Sequence, residues 1–184
     1  MKKYTTVLLV VLVSTLLTAS CQKTETVLIE LQKLPPITQT GANTFGCLVD
    51  GVAWLPNGSK PQTGGPNIQV YVDPTFQGGR FAITGHQYKN FQSQVSFGAT
   101  NCTNAGYFDL SLPINTLSYN RFLNNLNTCE FSSFDAGTYR RGFFNISRYD
   151  LTNGIFSGTF EFTIKSQGCG DTIRITNGRF DVKL

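Results

Sequence analysis

The C-terminal third of the chain alternates apolar and polar residues so regularly that it restricts the fold to β structure. Between Ile155 and Lys165 every second residue falls on one side, namely Phe156, Gly158, Phe160, Phe162 and Ile164. A period of two is that of a strand with one buried face. Asn153-Gly154 and Asn177-Gly178 separate alternating stretches, and Asn-Gly is a favoured hairpin turn. This region predicts a meander of three or four antiparallel strands.

Earlier stretches extend the same pattern towards the N-terminus. Asp50-Gly51 separates Thr44 to Val49 from Val52 to Leu55, which predicts a hairpin with a two-residue turn. The alternation predicts further strands at residues 68–73, 80–86, 91–97, 107–110, 129–134 and 143–149.

The middle of the chain has a weaker pattern. The apolar residues Tyr119, Phe122, Leu123 and Leu126 have helical spacing, which predicts one or two helical turns. The rest gives about nine short strands, and that number with regular turns predicts an all-β domain. A two-sheet antiparallel sandwich is the expected architecture, and an up-and-down β-barrel is the alternative.

The N-terminus has the order of segments found in a secretory signal peptide. Two lysines precede the apolar stretch from Val7 to Leu17, which is too short for a permanent membrane span, and small residues follow. Cys21 comes directly after Ser20 and resembles the cysteine of a bacterial lipobox, although Thr18 stands where most lipoboxes have leucine. The resemblance implies cleavage after Ser20 and lipid on the Cys21 thiol. Ordinary cleavage with an unmodified Cys21 is the alternative.

These features divide the chain into three parts. Residues 1–20 are interpreted as a lipoprotein signal peptide, residues 21–41 as the lipidated cysteine with a tether, and residues 42–184 as one all-β domain. Pro35 and Pro36 stiffen the tether, and Val27 to Leu31 is apolar enough to cover a sheet edge. The expected location is the cell envelope, at the outer membrane.

Two stretches resemble small, uncharacterised lipoproteins that are abundant in Bacteroidota. The first is Leu34 to Gly51, which reads LPPITQTGANTFGCLVDG, and the second lies in Ile155 to Val182, with SGTFEFT and ITNGRFDV. The resemblance implies a lipoprotein with an all-β fold, and it assigns no catalytic or ligand-binding residue. In such bacteria an acidic run after the lipidated cysteine tends to mark export to the cell surface. Only Glu25 is acidic here, so the periplasmic and surface faces both stay open.

The low fraction of charged residues limits the classes of partner that the chain is expected to bind. Charged residues make up 14% of the sequence, against a usual quarter, which argues against a disordered tail or a coiled coil. The formal net charge of +4 falls to +2 without Lys2 and Lys3, and Arg140-Arg141 is the basic pair that remains. Nucleic acid is therefore not an expected partner.

Four cysteines follow Cys21, and an exported chain holds them in an oxidising compartment. An even number favours two disulfides, with three possible pairings. We expect Cys102–Cys129, which would close a loop of weak pattern, together with Cys47–Cys169, which would tie the first strand to a late hairpin. A zinc site is not expected, because no two of these cysteines are two to four residues apart.

Catalytic residues are scarce in this sequence. His86, the only histidine, is the candidate general base of a small hydrolase or isomerase, but no Gly-x-Ser-x-Gly motif accompanies it. A surface or partly satisfied strand histidine is the simpler interpretation. Most acidic residues fall at turns, whereas Glu161 projects from the outer face of a long strand. We expect no enzymatic activity, no cofactor and no metal site.

Outward-facing aromatic residues are the remaining candidates for a binding site, because rings beside amide side chains stack on sugars. The candidates are Trp54, Tyr71, Tyr88, Tyr119 and Tyr149, and packing between strands is the alternative for each. The expected function is a non-catalytic, membrane-anchored envelope lipoprotein that binds a glycan or a protein. The alternatives are a barrel carrying a small apolar ligand and a small hydrolase or isomerase using His86.

Overall fold

The computed structural model describes residues 25–89, 92–124, 127–166 and 169–184. These residues form one α-helix, α1 at residues 25–32, a short 3-10 helix at Phe76–Gly78, and eleven strands in two antiparallel sheets. The expected signal peptide and Cys21 lie outside the described residues.

The first sheet has six strands: β1 Thr44–Val49, β2 Val52–Trp54, β6 Gly106–Asp109, β9 Tyr139–Asp150, β10 Ile155–Lys165 and β11 Thr172–Lys183. The second has five: β3 Ile68–Asp73, β4 Arg80–Gln87, β5 Ser93–Thr100, β7 Thr116–Asn124 and β8 Asn127–Ser132. Their strand orders are β2-β1-β11-β10-β9-β6 and β3-β4-β5-β7-β8. The predicted sandwich is confirmed. Both sheets stay open, so the alternative barrel is wrong.

Phenylalanine rings fill the space between the two sheets. Phe97 on β5 lies 4.5 Å from Phe160 on β10 and 5.0 Å from Phe144 on β9, measured between ring centroids. Phe45 and Phe180 pack on the same ring from β1 and β11. Burying one such side chain contributes roughly 1.5–3 kcal/mol, and these aromatic contacts join the two sheets.

The two earlier turn predictions are confirmed. Asp50 and Gly51 both have positive φ, 51° and 85°, as a two-residue type I′ hairpin requires. Asn153-Gly154 lies in the turn between β9 and β10, where the Asp150 carboxylate accepts a hydrogen bond from the Asn153 N–H at 2.9 Å.

Asn177-Gly178, by contrast, is not a hairpin turn, because β11 continues through it. Two residues of β11 lie opposite one residue of β10, since Phe160 pairs with Gly178 and Phe162 with Ile175. This is a β-bulge. Its extra residue changes the alternation, so that Ile173 and Ile175 face the core before it and Phe180 and Val182 after it. Only glycine fits at 178, where a Cβ would lie 2.5 Å from the Phe160 ring.

The predicted helical turns near Tyr119 are also wrong, because this segment is strand β7. Leu117 and Tyr119 are buried, and β7 lies between β5 and β8. Hydrogen bonds to two neighbouring strands and an alternating buried face outweigh the helical spacing.

Both predicted disulfide pairings are wrong. The structure pairs Cys129 with Cys169 at a Cα–Cα distance of 5.7 Å, and Cys47 and Cys102 are free. Cys47 points from β1 into the core and Cys102 is buried after β5, so neither approaches the partner expected for it. Cys129 on β8 lies beside the connection from β10 to β11 that carries Cys169. The disulfide therefore joins the two sheets.

We expect both free thiols to resist alkylation in the folded protein and to react after unfolding. Burial raises the pKa of Cys47, and it raises the pKa of Cys102 to about 12, so the reactive thiolate is scarce in both. Iodoacetamide labelling of the chain beginning at Gln22, followed by mass spectrometry, should find no native adduct and two adducts in denaturant without reductant. Rapid native labelling of Cys47 or Cys102 would contradict their burial.

Residues 34–43, which we call the strap, lie along the outer face of the six-stranded sheet. Leu34 is buried, and Pro35 lies so close to Gly46 that a Cβ at that glycine would meet its ring at 2.8 Å. The Asp181 carboxylate on β11 accepts hydrogen bonds from the backbone N–H groups of Thr40, at 2.9 Å, and Gly41, at 2.8 Å. Contacts with the domain thus begin well before Ala42, the expected boundary.

Candidate functional site

The outer face of the six-stranded sheet is divided along its strands into a covered half and an open half. The strap covers the half around Arg148 and Asp181, where the Arg148 guanidinium donates to the carbonyl of Gln39. The other half, crossed by β6, β9, β10 and β11, is a depression of about 770 Å³. This open half, called the depression below, is the candidate binding site.

Aromatic side chains line two sides of the depression. Tyr107 on β6 and Phe143 on β9 stack with ring centroids 5.1 Å apart. Tyr139, four residues before Phe143 on the same strand, pairs with Lys165 on β10. Tyr107 is 64% exposed and Tyr139 is 53% exposed, so both present ring surface to solvent. Exposed rings in a concave surface suit stacking on a ligand.

Charged side chains occupy the floor between these rings. Thr163 on β10 pairs with Arg141 on β9 and with Arg174 on β11, and Lys165 follows two residues later. Adjacent strands are about 4.8 Å apart, so the Cα atoms of the two arginines are separated by about 10 Å. Antiparallel partners share a face, so Arg141, Thr163 and Arg174 project from the same side of the sheet.

The two carboxylates of the depression make local hydrogen bonds. Asp109 accepts from the Ser111 N–H at 2.8 Å, and hydrogen bonds from the Ser111 side chain and backbone lower its pKa. Glu161 accepts from the Asn177 N–H at 3.1 Å and thereby holds the bulge of β11. A carboxyl group with a lowered pKa suits a fixed negative charge and not a general acid, so Asp109 has the wrong properties to donate a proton.

None of the five aromatic residues chosen from the sequence lines the depression. Trp54 and Tyr119 are buried in the core, and the Trp54 Nε1–H donates to the Ser93 Oγ at 2.9 Å. The Tyr149 hydroxyl donates to the Cys102 carbonyl at 3.2 Å, and its ring packs edge-on against Phe156. Trp54, Tyr119 and Tyr149 therefore pack within the domain, which corrects the expectation that they stack on a ligand.

The other two candidates lie on the five-stranded sheet or beside it. Tyr71 is exposed, with the Arg80 guanidinium 5.8 Å from its ring centroid. Tyr88 stacks on His86 at 5.2 Å. Sequence reasoning missed Tyr107, Tyr139 and Phe143, although Tyr139, Arg141 and Phe143 have the common parity of one strand face.

His86 is a half-buried residue at the end of β4. Its Nε2 atom is buried without a hydrogen-bond partner among the described residues, and its pKa is lowered, first by burial and then by the charge of Lys60. Neither depression is lined by His86. The structure therefore does not bring it together with the carboxylates of the depression.

A second depression of about 540 Å³ lies between β3 and the end of β11. Lys183 is the one ionisable side chain that the described residues contribute to it, and its apolar lining comes from Pro66, Ile68, Val70, Val182 and Leu184. This surface offers packing at a sheet edge, whereas the first depression concentrates aromatic and charged groups.

In the part of the chain that the structure describes, no three His, Cys, Asp or Glu side chains are placed to hold a metal ion. No helix within the described ranges is long and apolar enough to cross a membrane. Among known proteins, no family, no curated protein and no solved structure matches the chain significantly.

Proposed function

We propose that this chain is a non-catalytic binding protein of the cell envelope, attached to the outer membrane by lipid on Cys21 and binding its ligand in the depression. The observation that carries the proposal is the depression itself, where exposed Tyr107 and Tyr139 lie beside Arg141 and Arg174 on the half of the face that the strap leaves open. Tyrosine and arginine are enriched in binding surfaces.

The N-terminal segment supports the anchoring part of the proposal. Signal-peptide features precede Cys21, and the resemblance to lipoproteins of Bacteroidota concerns the strap and the strands β1, β10 and β11. Helix α1 starts at residue 25 among the described residues, and the Glu30 carboxylate accepts a hydrogen bond from the Ala53 N–H of edge strand β2 at 2.8 Å. A lipid on Cys21 would therefore hold the domain close to the bilayer.

The binding part is tested on an array of neutral and acidic glycans. We expect the Tyr107→Ala/Tyr139→Ala variant to lose about tenfold in affinity or more, because it removes both exposed ring surfaces of the depression. Tyr71→Ala is the matched control, since it removes an exposed tyrosine of the other sheet. Unchanged binding by the double variant together with loss in Tyr71→Ala would place the ligand elsewhere.

The anchoring part is tested by metabolic labelling with a palmitate analogue. The wild-type chain should carry the label and sediment with membranes, whereas Cys21→Ser should lose both properties, because the thiol is the attachment point. Cys47→Ser, which changes a buried thiol, should keep the label. Labelling of Cys21→Ser would contradict the assignment. Protease shaving of intact cells then determines which membrane face the domain occupies.

A further inference from the structure

The three cations of the depression have no charged partner within the described part of the chain. Arg141, Lys165 and Arg174 are exposed, and their side chains make no ion pair and no hydrogen bond with any described residue. The nearby carboxylates of Asp109 and Glu161 are held by backbone N–H groups instead. The floor of the depression therefore has three positive groups and two negative groups, with the positive groups gathered around Thr163.

This arrangement fits an oxyanion. A guanidinium group donates two parallel hydrogen bonds to a carboxylate or a sulfate, and two arginines about 10 Å apart at their Cα atoms can converge on one such group from both sides. The Thr163 side chain lies between them on the middle strand. Lys165 adds a third cation two residues further along β10.

The aromatic rings flank the cations on two sides along the strands. Phe143 lies two residues beyond Arg141 on β9, with Tyr107 stacked on it, and Tyr139 lies two residues before Arg141. A ligand that crosses the basic group therefore meets ring surface at either end. Sugar rings have an apolar face that stacks on an aromatic ring and a periphery that hydrogen-bonds.

An extended peptide fits this face less well. Strand β10 is hydrogen-bonded on both sides, to β9 and to β11, whereas β6 covers the other side of β9 only from Phe143 to Ile146. A peptide that binds by adding a strand needs a free sheet edge, whereas Thr163, at the centre of the depression, lies on interior strand β10. A ligand here must be recognised by side chains.

We propose that the depression binds an acidic polysaccharide, whose carboxylate or sulfate groups lie over Thr163 between Arg141 and Arg174 while its rings stack on Tyr107 and Tyr139. This inference rests on the proposed function and names the ligand class of the same site. It requires the oxyanion as well as the sugar ring, so a neutral polysaccharide of similar length binds weakly.

Affinity electrophoresis and calorimetry test the proposal with the chain beginning at Gln22, its disulfide intact. The probes are polygalacturonate for carboxylate, dextran sulfate for sulfate, unmodified dextran for the neutral case and polyglutamate for an acidic peptide. We expect one or both acidic polysaccharides to bind at least about tenfold more tightly than dextran and polyglutamate, and added salt to weaken them. The stronger of the two identifies the oxyanion.

Two variants locate the binding. Arg141→Gln/Arg174→Gln should weaken binding of the acidic polysaccharide by about tenfold or more. Lys60→Gln/Lys89→Gln removes the same charge from the β2–β3 and β4–β5 connections, which do not line the depression, and should leave binding within about twofold. Near-ultraviolet circular dichroism confirms that both variants fold.

Several outcomes would overturn the ligand class. Equal binding of dextran with no effect of the arginine changes would leave a glycan-binding site without the oxyanion, so the proposed function would survive and this inference would fail. Polyglutamate binding as tightly as the polysaccharides would indicate an acidic peptide. Absence of binding to all four probes would reject the acidic polysaccharide, and glycan-array binding lost in Tyr107→Ala/Tyr139→Ala would then still support the proposed function.

Discussion

Replacing Asp181 by alanine should lower the free energy of unfolding by about 3–5 kcal/mol. The side chain is 1% exposed, and its carboxylate accepts from the Ser157 hydroxyl at 2.7 Å, from the Thr38 hydroxyl at 2.6 Å, and from the N–H groups of Thr40, Gly41 and Ala42. Alanine removes the acceptor of all these hydrogen bonds, both those from the strap and the one from Ser157. Denaturant titration measures the change.

The same carboxylate gives the stability a pH dependence. Burial raises the pKa of Asp181, but the hydrogen bonds from Thr38, Ser157 and the strap outweigh burial and lower it below the ordinary value. A lowered folded-state pKa gives stability that is present above the unfolded value of about 3.9 and is lost as the pH falls below it. The difference between the wild type and Asp181→Asn should therefore shrink in acid.

Asp135→Asn is the matched control for this prediction. Asp135 is exposed in the turn between β8 and β9, and its side chain makes no hydrogen bond with the described residues. Its replacement should change the unfolding free energy by less than about 0.5 kcal/mol. A similar small effect for Asp181→Ala would show that the strap is not held through this carboxylate.

Loss of the Cys129–Cys169 disulfide should lower the free energy of unfolding by about 4 kcal/mol. The bond spans a sequence separation of 40 residues, and a closed loop of this length restricts the unfolded chain by about that amount. It also fixes edge strand β8 of one sheet to the β10–β11 connection of the other. Denaturant titration of Cys129→Ala/Cys169→Ala measures the loss.

Reductant provides the control for the disulfide. It should destabilise the wild-type chain to the level of the double variant and leave the double variant unchanged. Peptide mapping without reduction should recover one linked pair, Cys129 with Cys169. Recovery of Cys102 linked to Cys129, or an unchanged stability of the double variant, would contradict the observed pairing.

The local part of this fold was predictable from the sequence. Asp50-Gly51 and Asn153-Gly154 determine their turns with residues that are close in the chain, and the alternation in β10 identifies its buried face. Asn177-Gly178 has the same local signal but forms a bulge, because β1 and β10 bind β11 on both sides of it. That outcome depends on strands far away in the sequence.

The disulfide and the candidate site also depend on contacts between residues that are far apart in the sequence. Cys129 and Cys169 meet only because one end of each sheet comes together in the sandwich. The parity of Tyr139, Arg141 and Phe143 indicates an outward face, but whether such a face is open depends on the path of the strap. The alternation of apolar and polar residues distinguishes the buried face of a strand from its outer face. It does not determine which outer face is covered by another segment of the chain.

The pairing of β1 with β11 has a consequence for how the chain acquires its structure. Gly41 and Asp181 are 140 residues apart in sequence, and β11 lies between β1 and β10 in the sheet. A chain that is synthesised from its N-terminus cannot complete this sheet until β11 has been made. Contacts of such separation make folding slow. Until then Cys47 is not buried in the completed core. Its thiol on β1 is therefore accessible to reagents until β11 pairs with that strand.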